Sequence, residues 1–228
     1  VVTDYHRWRL KPPEGGELRR LLAGLFAQAG VERQYRLSRP GGGECYGVEV
    51  HPYRSGDLRI LGLHRNYQLR VSELGPPRNR SQAGLEEPME LRVELPRRCA
   101  VYDQRAGKYL GTRRTVTVPL AKYSPTILTI LPEAVRAVRL DAPARAERGK
   151  LVRVRIRIDG PKLGKVHAVR VRVLGPAGKE LRMLPQTLLA KKGQVTWVFP
   201  LALSDPAGTY ALSVRDIPTG LSTEARLE

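Results

Sequence analysis

Hydrophobic and polar residues alternate along much of the chain. Leu151 to Ile158 reads LVRVRIRI, and Val169 to Val173 reads VRVRV. A period of two is that of an extended strand with one face in a core and the other in water. It places Arg153, Arg155, Arg157, Arg170 and Arg172 outward and the intervening Val and Ile inward. Thr115 to Leu120 alternates in the same way.

The stretch Cys99 to Pro132 reads as strand, tight turn, strand, bend, strand. Val101 and Tyr102 lead into Gln104-Arg105-Ala106-Gly107, where Gly107 supplies the positive φ of a short hairpin loop. Gly111 marks a bulge or a close backbone approach. Ser124-Pro125 breaks the rhythm before the apolar run Thr126 to Leu131. Upstream, strands are expected at Val31 to Leu37, Cys45 to Tyr53, Leu58 to His64, Tyr67 to Glu73 and Leu91 to Leu95. The second and third form a hairpin across Arg54-Ser55-Gly56-Asp57. Ser38 to Gly43 and Gly75 to Pro88 read as loops.

One segment has the other period. Leu18, Leu21, Leu22, Leu25, Phe26 and Ala29 make a continuous apolar stripe at helical spacing. Glu17 stands at the start, where the helix dipole favours an acid, and Gly30 at the C′ position. Either a sheet in this chain covers the stripe, or the helix belongs to a preceding α/β domain.

After Pro132 the rhythm restarts. Ala137 to Leu140, Leu151 to Asp159, His167 to Leu174, Val195 to Phe199, Tyr210 to Val214 and Ser222 to Leu227 read as strands at immunoglobulin-like spacing. Asp205-Pro206-Ala207-Gly208-Thr209-Tyr210 fits a tyrosine corner, in which the phenol bonds back to the backbone. The expected architecture is mainly β: two β-sandwich (Ig-like) domains with one N-terminal amphipathic helix left from an α/β domain. The divisions are 1–30, 31–132 and 133–228.

The 228 residues have room for two ordinary cores, and no apolar run approaches the roughly 18 residues of a membrane helix. The chain opens Val1-Val2 without a methionine, so the first residue reads as a cut or processed end and the missing signal segment says nothing about export. A net charge of +18 invites a nucleic-acid reading. Its spread argues against one: residues 1–132 carry 22 bases against 13 acids and residues 133–228 carry 18 against 9, so no basic tail exists. Solvated sheet faces account for the arginines more simply than a surface that grips polyanion. Cys45 and Cys99 read as two buried thiols in preference to one disulfide.

Candidate chemistry is sparse. His6, His51, His64 and His167 lack metal-ligand spacing, and no GxSxG occurs. Glu86, Glu87 and Glu90 read as solvated loop charge. Gly41 to Gly43 lack the GK[ST] of a phosphate loop. Alternation makes Trp197 a core residue. Trp8, with Tyr5 near it, is the candidate sugar platform. No catalytic residue, cofactor or metal site is expected.

Three pieces carry a family resemblance. LRRLLAGLFAQAGVERQYRL (18–37), VEVHPYRSGDLRILGLHRN (48–66) and AVYDQRAGKYLGTRRTVTVPLAKYSPTILTILP (100–132) resemble the C-terminal region of β-galactosidase-like glycoside hydrolases of the family-42 type. They resemble, in turn, the last helix of that family's trimerisation domain, the hairpin after it and the end of a β-sandwich. FPLALSDPAGTYALSVRDIPTG (199–220) is similar to an Ig-like or macroglobulin-like module of large bacterial surface proteins. The resemblance implies a non-catalytic accessory region, because the family's catalytic glutamates lie in a barrel that no segment here matches. It implies the catalytic and trimerisation domains of the parent chain as partners, homo-oligomer contacts and an extracytoplasmic location. A carbohydrate-binding module, and a binder of anionic surfaces or nucleic acid through the basic faces, are the competing readings.

Overall fold

The computed structural model describes residues 12–31, 34–43, 45, 48–65, 88–160, 166–181 and 186–228. These residues form one helix and thirteen strands, a mainly β chain. Tyr5, His6, Trp8, Glu86, Glu87 and the expected strand Tyr67 to Glu73 lie outside them.

Helix α1 spans Pro12–Gln28 and so starts earlier than Glu17. Two prolines open it without cost, since the first turn's N–H groups have no helical acceptor. Its end is a Schellman motif. Gly30, at φ 72°, donates to Ala27 O, and Val31 donates to Phe26 O. The expected apolar stripe is only partly covered: Leu21, Leu25 and Phe26 are 61%, 52% and 56% exposed.

The first sheet contains β1 (Arg36–Ser38), β2 (Val48–Ser55), β3 (Leu58–Arg65), β4 (Met89–Asp103), β5 (Lys108–Leu120) and β6 (Thr126–Leu131). Its order is β1-β4-β6-β3-β2, and β5 also pairs with β4. The β2–β3 hairpin turns at Gly56, φ 61°, where the sequence places it. β4 runs on through Pro96 and so joins the expected strand Leu91 to Leu95 to the one that opens the Cys99 to Pro132 stretch. Its ladder with β1 uses residues 92–94 and its ladder with β6 uses 100–103, so the proline falls between the two.

The second sheet contains β7 (Ala137–Asp141), β8 (Leu151–Asp159), β9 (Val166–Leu174), β10 (Gln186–Lys191), β11 (Gln194–Pro200), β12 (Tyr210–Asp216) and β13 (Ser222–Leu227). They run β13-β12-β9-β10-β11-β8-β7. β10 and β11 share only the pair Lys191↔Gln194, whereas every other junction is an extended ladder. The row therefore folds there into layers β13-β12-β9-β10 and β11-β8-β7, and β13 comes back against β7. Val154, Ile156, Ile158, Val169, Val171, Val173, Leu212 and Val214 fill the space between the layers with Trp197 and Phe199. Those two rings lie 4.5 Å apart.

By compactness the chain divides into two units. One takes residues 1–51, 62–97 and 114–126, and the other 52–61, 98–113 and 127–228. The division cuts β4 between Arg97 and Arg98 and β5 between Arg113 and Arg114. In the first unit Leu63, Leu91, Val93, Leu95, Val116, Val118 and Leu120 are buried. In the second, Leu58, Ala100, Tyr102 and Leu131 join the core of the seven-stranded sheet.

Candidate interaction surface

Polar groups in the second unit include some consumed inside the fold and others left facing water. The innermost set lies at the end of β12. Asp216 is the one buried carboxylate among the described residues, and it sits beside the equally buried His167 and Thr219. Imidazole Nδ1 and Asp216 Oδ1 share a hydrogen bond at 3.0 Å. Oδ2 accepts from the Thr219 hydroxyl at 2.5 Å and from its backbone N–H at 3.3 Å. The loop is closed by Asp216 N–H to Leu221 O and Gly220 N–H to Asp216 O.

Histidine, aspartate and a hydroxyl together invite a comparison with nucleophilic catalysis. There the hydroxyl must bond to the imidazole. Here Thr219 bonds to the carboxylate, and all three side chains have zero exposure. The group ties β9 to β12 and shapes the turn after it.

Two tyrosines are used similarly. Tyr210 donates to Pro206 O at 2.6 Å, the bond expected of a tyrosine corner, and burial pushes its phenol pKa up. Tyr102 accepts from Val135 N–H at 2.9 Å in the buried interior. Burial pushes its pKa up to about 12.

Neither cysteine is bonded; Cys99 is buried and Cys45 half-buried. Burial raises the Cys45 thiol, against the opposing pull of Arg65 and Arg39. His51 lies 3.3 Å from Glu49, its neighbour two residues back on β2. Among the described residues no group of three or more His, Cys, Asp or Glu side chains is placed to hold a metal ion. No described helix is long and apolar enough to cross a membrane. The proposed sugar platform, Trp8 and Tyr5, falls outside the described residues. Trp197 is 1% exposed, a core residue as alternation requires.

The outward set is dominated by arginine. Arg153, Arg155 and Arg157 project from β8 as alternation predicts. Across the ladder, Arg157 faces Arg139 and Arg155 faces Asp141 on β7, while Gln194, Thr196 and Val198 face the three arginines from β11. Asp159 is ion-paired with Arg139. A shallow depression between β7 and β8 is bordered by Arg136, Arg139, Arg157 and Lys192.

The β9 arginines are in another state. Arg172 grips Glu180 through two bonds, Nε to Oε1 at 2.9 Å and Nη2 to Oε2 at 2.6 Å, which raises its pKa. Arg170 donates to Thr187. The two ladders, alike in sequence, thus differ: on β9 Arg172 is ion-paired and Arg170 is hydrogen-bonded to a neutral hydroxyl.

Sequence reasoning missed the His167–Asp216 pair because 49 residues separate its members. A local signal existed in Asp216-Ile-Pro-Thr219, since Asp before a turn accepts from the backbone beyond it. Compared with family models and with curated proteins, the sequence matches none.

Proposed function

We propose that the chain is a non-catalytic accessory region, built of β-sandwich layers, of a larger glycoside hydrolase of the β-galactosidase-like, family-42 type. The observation that carries the non-catalytic part is the use of the one buried carboxylate among the described residues. Asp216 spends both oxygens on His167 and Thr219, with no face open to a substrate. Catalysis of glycoside transfer asks the opposite, two carboxyl groups flanking a cleft. The parentage rests on the resemblance of residues 18–37, 48–66 and 100–132 alone.

We further read the seven-stranded sheet as an Ig-like module. Its layers of three and four strands, β7-β8-β11 and β10-β9-β12-β13, and the Tyr210 bond to Pro206 at the start of β12 support that reading. Such a module serves by bracing neighbouring domains and subunits. The coding sequence upstream of Val1 tests the parentage. A (β/α)8 barrel followed by a trimerisation domain is the expected content, and an unrelated enzyme or none contradicts it.

A further inference from the structure

We infer that the outward face of β8, with its flanks on β7 and the β10–β11 turn, is a docking surface for a linear acidic polysaccharide. Three features of the face carry this. Arg153, Arg155 and Arg157 stand at every second residue, a repeat of roughly 7 Å along one straight line. Among the described residues none of the three has an ion pair or a side-chain hydrogen bond, and all three are exposed. Arg136, Arg139 and Lys192 widen the positive field around the depression at one end, against only Asp141 and the already paired Asp159.

The β9 ladder is the internal comparison. The same Val-Arg alternation there pairs Arg172 with Glu180 and hydrogen-bonds Arg170 to the neutral hydroxyl of Thr187. Among the described residues the three β8 arginines have neither kind of side-chain partner. Guanidinium forks match carboxylate and sulfate oxygens two at a time.

The shape of the face selects among polyanions. Single-stranded nucleic acid is held by aromatic side chains on which bases stack, and the outward neighbours here are Gln194, Thr196, Val198, Ala137 and Asp141. Duplex DNA is read by a helix or ribbon that enters a groove, which the side of a sheet does not do. An extended chain carrying a charge on each sugar, or on alternate sugars, can lie along β8. The inference stands whether or not the parent cleaves sugars.

The test is binding of the purified chain to heparin and to polygalacturonate at about 0.15 M salt. Neutral dextran, a single-stranded oligonucleotide and vesicles of phosphatidylglycerol serve as alternatives. The variant R153S/R155S/R157S is compared with R36S/R92S/R105S, which removes the same charge from exposed positions elsewhere. The expected result is a loss of about tenfold or more in polysaccharide affinity, with a shallower salt dependence, for the β8 variant alone. Should that variant fail to fold, the single change Arg155→Gln is expected to weaken binding severalfold. Equal losses in both triple variants, no polysaccharide binding by the unsubstituted chain, or tighter binding to oligonucleotide or vesicles would each overturn the inference.

Discussion

The Cα of Gly107 stands in the space that a Cβ on Gly220 would need. Gly107 is in the β4–β5 hairpin loop and Gly220 in the turn between β12 and β13, so two loops more than a hundred residues apart meet backbone to backbone. Arg215 fastens the contact by donating to Gln104 O at 3.2 Å. Both glycines hold positive φ, 63° and 76°.

Gly220→Ala is therefore expected to destabilise the second unit by about 2–4 kcal/mol, combining overpacking against backbone with left-handed strain. Gly107→Ala meets a side-chain atom, Arg215 Nη2 at 3.3 Å, in place of backbone and is expected to cost less, about 1 kcal/mol. Urea unfolding followed by tryptophan fluorescence and circular dichroism ranks the two. Equal small effects would show that the loops do not pack this closely.

Asp216→Ala leaves a buried imidazole and a buried hydroxyl without their acceptor. A loss of about 3 kcal/mol or more is expected. Thr219→Val, which removes one donor and keeps the shape, is expected to cost less than half of that. Chemical denaturation of both variants checks the order.

Tyr102 supplies a pH signature. Its folded pKa, about 12, lies above the ordinary 10.0, so the folded state holds the phenol proton more tightly than the unfolded chain. That contribution is complete below pH 10 and is lost as pH rises through about 12. Tyr102→Phe is expected to flatten the decline over this window, while costing stability at neutral pH because Val135 N–H loses its acceptor. Melting temperatures measured from pH 8 to about 12 read both effects.

The β10–β11 turn contains the only non-glycine residue with positive φ among those described, Lys192 at 50°, followed by Gly193 at 74°. Two successive left-handed residues fit a type I′ hairpin, for which Asn-Gly is the favoured pair. Lys192→Asn is expected to stabilise the unit by about 0.5 kcal/mol, read as a higher urea midpoint with an unchanged slope.

This turn also shows where the sequence stops being legible. Strands with strict alternation, β8 and β9, could be read directly, and β6 was bounded by Pro125 and Pro132. β10 escaped because Gln186 to Lys191 has no period-two pattern and its turn lacks Asn or Asp. The helix start was misplaced because its opening Pro-Pro-Glu-Gly-Gly contains no apolar repeat. Tyr210 was legible from its Asp-Pro-Ala-Gly lead-in. Whether an outward arginine is neutralised was not, because Glu180 reaches Arg172 from eight residues away while nothing described reaches Arg155.

The most direct measurement of the non-catalytic reading is steady-state hydrolysis of nitrophenyl β-galactoside and its gluco and arabino counterparts by the purified chain. No saturable turnover above buffer is predicted. Turnover that disappears on changing one of the chain's own acids, with the fold intact by circular dichroism, would contradict it.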